Sequence, residues 1–297
     1  YILGHSYKRD RIHLYTGDSI YKIPESCIFL IKVSPSGKVV WLNYFHHNNA
    51  LLYSRGVFMK GKNDDFYLIT YLKNSYPLYY GNQEIFANSQ TQSGVIIHIN
   101  KEGKVLRKRT FPVSYYDEQN YSENGNYNNI PSPVWSNNGQ LVFYGEMNSP
   151  EISSNSIDGV VIGFNTDSIK SSLFYFDTTS FTFKDFKPIY KLVDGEKTGI
   201  RSHAFAIDSS GNYFASFKGS RKINVAINGE YPQDSLWARD FIYSYNSNGT
   251  VRWIKEANGL YPTSLYYGDG QLKAGGRNYS NYGYHLMGLA YYGEQSQ

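Results

Sequence analysis

Short stretches of alternating hydrophobic and polar residues run through most of the chain, and they come in pairs joined by tight turns. One kind of pair has a glycine turn, and its copies are CIFLIKVSPSGKVVWLNYF (27–45), GVIIHINKEGKVLRKRTF (94–111) and FIYSYNSNGTVRWIKEA (241–257). Gly37, Gly103 and Gly249 occupy the same place in these turns. Alternation with a period of two is typical of half-buried β-strands, so each copy predicts an antiparallel strand pair. A degenerate copy, 159–176, keeps the alternation without the glycine.

A second kind of pair precedes each of these copies except the first, and its turn is built from Asn, Asp and Gly. Its copies are GVFMKGKNDDFYLITYLK (56–73), PVWSNNGQLVFYGEM (133–147), AFAIDSSGNYFASFK (204–218) and TSLYYGDGQLKAGGR (263–277). Asn, Asp and Gly tolerate positive φ, which suits a tight hairpin. Residues 1–7 resemble the second half of this pair.

Together the two pairs give a repeat of four short strands, which we call A to D. The aligned positions are Gly4, Thr70, Gly145, Ser216 and Gly275. Four antiparallel strands per repeat predict an all-β fold, a β-propeller of four-stranded antiparallel blades. We expect one domain, 1–297, with repeats near 1–53, 54–130, 131–201, 202–260 and 261–297. Five repeats favour a five-bladed ring, with a fragment of a larger propeller or a β-sandwich as alternatives.

Two of the turns resemble a known repeat family. The segments Asp208-Ser209-Ser210-Gly211-Asn212 and Ser34-Pro35-Ser36-Gly37-Lys38-Val39-Val40-Trp41 are similar to the bacterial β-propeller repeat called SBBP. The resemblance implies a propeller in an exported or cell-surface bacterial protein. It is carried by turn residues and one Trp, so it implies a fold and no catalytic residue.

Composition narrows the class of protein. Aromatic residues make up 17% and charged residues 18% of the chain, with 30 Tyr and one Cys, Cys27. One cysteine excludes an internal disulfide framework and a cysteine-rich zinc site. The net charge of +4 argues against a nucleic-acid partner. No apolar run reaches the roughly 20 residues of a transmembrane helix. Because the chain opens with Tyr1, we expect an extracellular or cell-surface location.

Loop lengths predict a functional face. The A–B and C–D turns are short, whereas the B–C and D–A connections are long, and in a propeller those long connections share one face. Several are rich in Tyr, Asn and Ser, the mixture that antibody loops use for binding. We expect binding on this face by Tyr15, His46, His47, Tyr76, Tyr79, Tyr80, Tyr115, Tyr116 and Tyr121. Packing of these rings against the strands is the alternative.

The sequence contains less evidence for catalytic residues than for a binding face. Carboxylates on the long loops (Asp10, Asp18, Glu84, Asp117, Glu118 and Asp234) are candidates for an acid–base pair, but the sequence does not bring any two together. Adjacent strand residues point apart, so His46 and His47 make a poor metal site. We therefore predict no metal, no cofactor and no catalytic residue. The favoured function is a non-catalytic surface module for protein interaction, adhesion or assembly. The alternatives are a carbohydrate-binding lectin and a glycan-active enzyme.

Overall fold

A computed structural model describes sixteen segments of the chain. They are residues 1–6, 12–16, 19–23, 27–47, 56–72, 77–87, 93–111, 133–146, 156–164, 171–193, 196–199, 202, 204–218, 240–257, 260–279 and 285–293. These segments contain strands and turns, and no helix among them is able to cross a membrane. The all-β class is therefore confirmed.

The described strands are short and regular. In chain order they are β1 (Ile2–Ser6), β2 (Ile12–Thr16), β3 (Ser19–Ile23), β4 (Cys27–Val33), β5 (Val39–His47), β6 (Val57–Lys60), β7 (Phe66–Leu72), β8 (Leu78–Tyr80), β9 (Gln83–Phe86), β10 (Ser93–Ile99), β11 (Val105–Phe111), β12 (Val134–Trp135), β13 (Leu141–Glu146), β14 (Ser156–Ile157), β15 (Val160–Val161), β16 (Ser171–Asp177), β17 (Thr182–Pro188), β18 (Tyr190–Val193), β19 (Glu196–Gly199), β20 (Ala204–Ile207), β21 (Tyr213–Lys218), β22 (Asp240–Tyr245), β23 (Val251–Glu256), β24 (Leu260–Gly268), β25 (Gln271–Tyr279) and β26 (His285–Gly293).

Five antiparallel sheets follow one another along the chain. The second, third and fourth sheets have four strands each, in the orders β6-β7-β10-β11, β12-β13-β16-β17 and β20-β21-β22-β23. The first has the order β1-β4-β5-β8-β9, and the fifth has β24-β25-β26. Separate two-stranded hairpins are formed by β2-β3, β14-β15 and β18-β19. The prediction of four-stranded antiparallel sheets is confirmed.

One five-residue turn recurs in these sheets, with a Ser, Asn or Asp in the first position and a glycine in the fourth. A Ser, Asn or Asp begins the turn, and its side-chain oxygen accepts a hydrogen bond from the backbone N–H four residues later. The five pairs are Ser34–Lys38, Asn100–Lys104, Ser136–Gln140, Asp208–Asn212 and Asn246–Thr250, with distances between 2.8 and 3.1 Å. The glycine in the fourth position has φ between 70° and 91° in all five turns. Only glycine adopts this backbone readily, which is why it recurs.

A β-bulge marks the same place in four C–D pairs. It lies between Lys32/Val33, His98/Ile99, Tyr175/Phe176 and Ser244/Tyr245, in each case next to the turn. Residues of different sheets are structurally equivalent when their pairing partners on strand C lie the same number of positions before the bulge. By this count Phe217, rather than the predicted Ser216, is equivalent to Gly4 and Thr70.

The prediction of a strand pair at 159–176 is wrong. The C and D strands of the third sheet are β16 and β17, and Gly159 lies in the small β14–β15 hairpin before them. The turn between β16 and β17 has Phe181 at φ 61° where the other sheets have glycine. Because no glycine marks this turn, the alternation of hydrophobic and polar residues alone placed the strand pair too early, at 159–176.

The chain divides into two compact units, Tyr1–Tyr115 and Tyr116–Gln297. In the first unit, one apolar cluster joins the first two sheets. It includes Ile28, Leu30 and Phe45 from the first sheet and Leu68 and Ile97 from the second, all essentially buried. Since both sheets contribute one face to it, neither face is left in water.

In the second unit, two apolar clusters join three consecutive sheets. The cluster between the third and fourth sheets contains an unusual number of tyrosines: Tyr144, Tyr175, Tyr190, Tyr213, Tyr243 and Tyr245. The cluster between the fourth and fifth sheets is built from smaller side chains, among them Ala204, Ala206 and Ala274, with Trp253 packed against it. Buried phenols usually find hydroxyl partners, and Tyr190 and Tyr213 donate to the carbonyls of Gly249 and Pro188 at 2.9 and 2.7 Å. The hydroxyl of Tyr243 is buried with no partner among the described residues.

Candidate functional site

The long B–C connection of the second repeat contains a hairpin, β8–β9, that adds to the edge of the first sheet. Strand β8 pairs with β5 through Phe45–Tyr80, His46–Tyr79 and His47–Leu78. A two-residue turn at Gly81-Asn82 joins β8 to β9, and Gly81 has φ 56°. Gly-Asn is a typical hairpin turn, so the segment LYYGNQEIF carried a signal for this hairpin that the sequence analysis missed.

Several contacts fix this hairpin. Leu78 and Ile85 are buried in the cluster between the first two sheets. The hydroxyl of Tyr80 donates to the carbonyl of Gly103, in the turn of the second sheet. Lys108 donates to the carbonyl of Ile85 from β11. The hairpin is thus held by two sheets, and the side chains on its outer row are presented on a fixed backbone.

The outer row consists of His46, Tyr79 and Glu84. They lie side by side because Tyr79 is the register partner of His46 on β5 and of Glu84 on β9. The rings of His46 and Tyr79 stack with centroids 5.4 Å apart, and the Tyr79 hydroxyl donates to Oε2 of Glu84 at 3.3 Å. The ring of Tyr44, two residues before His46 on β5, is tilted against the imidazole with a ring-centroid distance of 5.5 Å.

The tautomer of His46 follows from its hydrogen bond. Nε2 is 2.8 Å from the carbonyl oxygen of Gly81. Because a carbonyl only accepts, a neutral His46 carries its proton on Nε2 and a lone pair on Nδ1. The side chain is half-buried and Glu84 is exposed. A base, a phenol and a carboxylate therefore stand in one row.

The predicted site residues fare differently. His46 and Tyr79 come together in this row, but Tyr80 points the other way and its phenol is half-buried against the second sheet, which raises its pKa. The side chains of Tyr15 and His47 and all of Tyr76, Tyr115, Tyr116 and Tyr121 lie outside the described parts of the structure. Glu84 was predicted only as one of several carboxylates on the long loops, and no sequence pattern pointed to Tyr44.

A second imidazole–carboxylate pair lies at the opposite end of the strands. Nε2 of His98 is 2.9 Å from Oδ2 of Asp65, and the ring of Tyr67 stacks on the imidazole at 4.6 Å. His98 is 6% exposed, and its Nδ1 is buried without a hydrogen-bond partner. The bond joins Asp65, in the turn between β6 and β7, to His98 of β10, and so fastens that turn to the sheet. The described residues contain no cluster of three or more metal-ligating side chains.

No protein-family model matches the chain, and the search of curated proteins finds no relative. Among solved structures, the luciferin-regenerating enzyme matches over 95% of this chain and 79% of its own, with 10% identity and a TM-score of 0.42. Synechocystis apocarotenoid oxygenase matches over 96% and 59%, with 10% identity and a TM-score of 0.40. The Dos1 propeller matches over 83% and 56%, with 11% identity and a TM-score of 0.33.

These comparisons correct the predicted function. The solved structures found are mostly enzymes, contrary to the interpretation of the chain as a non-catalytic surface module. At this identity and TM-score the likeness carries no information on substrate or reaction. One of the solved structures found, Dos1, is described as a propeller.

Proposed function

We propose that the chain is an enzyme that uses general acid–base chemistry at the row of His46, Tyr79 and Glu84. The observation that carries the proposal is the 2.8 Å hydrogen bond from His46 Nε2 to the Gly81 carbonyl. It fixes the imidazole so that Nδ1 is the basic nitrogen, the arrangement that a general base requires.

Each member of the row has a part in the proposed chemistry. Nδ1 of His46 takes a proton from a water molecule or a substrate hydroxyl. The ring of Tyr79 stacks on the imidazole and holds it in place, and its hydroxyl is itself fixed by donating to Glu84 at 3.3 Å. Glu84 is thus proposed to position Tyr79, one strand away from the imidazole. The fixed hairpin keeps these groups in place before substrate arrives, which lowers the cost of organising them during the reaction.

We further propose that the five sheets are blades of a β-propeller with SBBP-like repeats, in an exported bacterial protein. The β-bulge beside the C–D turn supports this, because four sheets share it, and three of those four also share the glycine turn that follows. In that arrangement the β8–β9 hairpin belongs to the face of the long connections. Tyr15, His47, Tyr76, Tyr115, Tyr116 and Tyr121 are proposed to contribute to substrate binding on this face, whereas Tyr80 is not, because its hydroxyl bonds to the Gly103 carbonyl.

A hydrolysis screen with chromogenic esters, phosphomonoesters and glycosides tests the proposal. We expect turnover of one class by the purified chain and a loss of about 10²-fold or more in kcat for His46→Gln. Tyr79→Phe keeps the stacked ring and loses the hydroxyl, so it should lower kcat less. Tyr266→Phe, an exposed tyrosine of the fifth sheet, is the matched control and should have no effect. Full activity of folded His46→Gln, or no turnover of any class, would overturn the assignment.

A further inference from the structure

The β-bulge of the C–D pairs leaves one residue of strand D without a partner on strand C, and the type of this residue differs between the two units. In the first and second sheets it is Val40 and Leu106, which are 56% and 52% exposed. In the third and fourth sheets it is Lys184 and Arg252, which are also exposed. The bulge thus presents an aliphatic side chain twice in the first unit and a cationic side chain twice in the second.

The bulge itself does not require an aliphatic residue, because the second unit has Lys or Arg at the same place. A single exposed aliphatic side chain is normal on a protein surface. Two of them at equivalent positions of neighbouring sheets are a repeated feature, and they indicate a surface that meets an apolar environment.

Val40 and Leu106 lie at the same end of their strands, each three residues after the turn glycine. The short turns at this end of the first unit, 34–38, 61–65 and 100–104, all belong to the described residues. The long connections after β5 and β11 leave from the opposite ends of these strands. The surface beside the two aliphatic residues is therefore formed by described turns.

Contacts between the first two sheets bring their C–D turns together. The ammonium of Lys32, on β4 just before the turn of the first sheet, donates to the carbonyl of Lys101 in the turn of the second sheet at 3.2 Å. The two turns are thus parts of one surface.

Exposed lysines accompany both aliphatic residues. Lys38 and Lys104 directly follow the turn glycines, two residues before Val40 and Leu106, and Lys62 lies in the turn between β6 and β7. All three lysines are exposed. Among the described residues, none of these three ammonium groups has an ion pair.

The acidic residues of the same turns already have partners. The pairs are Asp64–Lys60 at 2.7 Å, Asp65–His98 at 2.9 Å and Glu102–Lys101 at 4.0 Å. The charge that remains at this end is therefore positive. The whole first unit has 15 Lys and Arg against 7 Asp and Glu, whereas the second unit has 14 against 18.

We propose that this turn surface, defined by Lys38, Val40, Lys62, Lys104 and Leu106, docks on a bilayer that contains anionic phospholipids. The ammonium groups meet the lipid headgroups, and the two aliphatic side chains enter the boundary between headgroups and acyl chains. Stable attachment to a bilayer takes two signals, and positive charge with apolar contact supplies both. Nucleic acids are bound through aromatic stacking rather than aliphatic side chains, so the aliphatic pair favours a bilayer.

The docking surface is separate from the acid–base row proposed above. Val40 and His46 lie on the same strand, six residues and about 20 Å apart. The inference therefore does not depend on the proposed activity.

Flotation of the full chain with vesicles of equimolar phosphatidylcholine and phosphatidylserine measures the docking. We expect binding to these vesicles that falls as salt is added, and little binding to vesicles of phosphatidylcholine alone. Lys38→Gln/Lys104→Gln should weaken binding about tenfold or more, because two cations leave the anionic surface. Val40→Ser/Leu106→Ser should weaken it about tenfold, because the apolar contact is lost.

Matched controls come from the second unit. Val161→Ser changes another exposed aliphatic residue, which is 72% exposed, and should bind normally. Lys184→Gln/Arg252→Gln removes two cations from the equivalent bulge positions and should also bind normally. Circular dichroism and thermal melting of each variant separate loss of binding from loss of fold.

Two outcomes overturn the inference. One is the absence of binding to the anionic vesicles. The other is loss of binding in the lysine variant with full binding in the folded aliphatic variant, which assigns the surface to a soluble polyanion. A labelled DNA duplex that binds with the same dependence on Lys38 and Lys104 would identify that alternative.

Discussion

The indole nitrogen of Trp41 donates a hydrogen bond to the carbonyl oxygen of Lys101 at 3.2 Å, across 60 positions of sequence. Asn43, two residues further along the same strand, donates to the carbonyl of Gly103 at 2.9 Å. One strand of the first sheet thereby holds the C–D turn of the second sheet by its backbone. This contact gives the Trp that follows the glycine turn a role in joining neighbouring sheets.

Trp41 should therefore contribute more to stability than its burial suggests. Trp41→Phe keeps much of the apolar contact and loses the hydrogen bond, so we expect a loss of about 1 kcal/mol in the free energy of unfolding. Trp253→Phe is the matched control, because Trp253 is equivalent by register and packs against Phe214. Urea unfolding measures both variants. Equal losses in the free energy of unfolding for the two variants would show that the hydrogen bond of the Trp41 indole does not stabilise the fold.

Gly37 and Gly103 differ in surroundings although both have φ 80° in the same turn. A methyl group at residue 37 meets no atom within 4 Å, whereas at residue 103 it lies 2.3 Å from Nδ2 of Asn43 and 3.1 Å from the Trp41 ring. Gly37→Ala should cost about 1–2 kcal/mol from backbone strain alone. Gly103→Ala should cost about 1–3 kcal/mol more through overpacking. Chemical denaturation of the pair tests the difference, and similar midpoints for both variants contradict it.

Alkaline pH should unfold the second unit. Burial raises the pKa of Tyr175, Tyr213, Tyr243 and Tyr245. In the unfolded chain these phenols ionise near pH 10. Because the folded pKa values lie above the unfolded ones, the stability is intact below about pH 10 and is lost as the pH rises further. Phenolate absorbance should therefore appear together with the loss of circular dichroism, and a gradual titration before unfolding would disagree.

Cys27 should be inert in the folded protein. It is 1% exposed, and burial raises the pKa of its thiol to about 12. The reactive thiolate is therefore nearly absent at pH 8. We expect no reaction with a thiol-specific chromogenic disulfide in buffer and one equivalent in urea. Rapid labelling of the native chain would indicate that the strand β4 opens locally.

The sequence predicted the strands well where a turn residue marked them. Gly37, Gly103 and Gly249 placed three C–D pairs correctly, because positive φ leaves few alternatives to glycine. The A–B pair of the third sheet was placed correctly at 133–147, but its C–D pair was misplaced, because Phe181 occupies the left-handed position where a glycine would have marked the turn.

The site was less predictable. His46 and Tyr79 were both predicted to be aromatic binding residues on loops. Their stacking depends on the pairing of β8 with β5, which lies more than 30 residues earlier in the chain and has no local sequence signal. The contact of Glu84 with Tyr79 could not be predicted, because it depends on the register between β8 and β9. The expected exposure of Tyr80 was a fair inference from composition, yet its hydroxyl is used by the Gly103 carbonyl.

The β8–β9 hairpin also means that the first sheet cannot be completed until residues well beyond its other strands have been synthesised. Strand β5 emerges from the ribosome well before residues 78–86, so its edge stays open until the hairpin arrives. Any fragment that stops near residue 53, a boundary suggested by the repeat pattern, keeps that edge permanently open. Truncation at an apparent repeat boundary should therefore give an aggregation-prone product, and a soluble half must extend through β11.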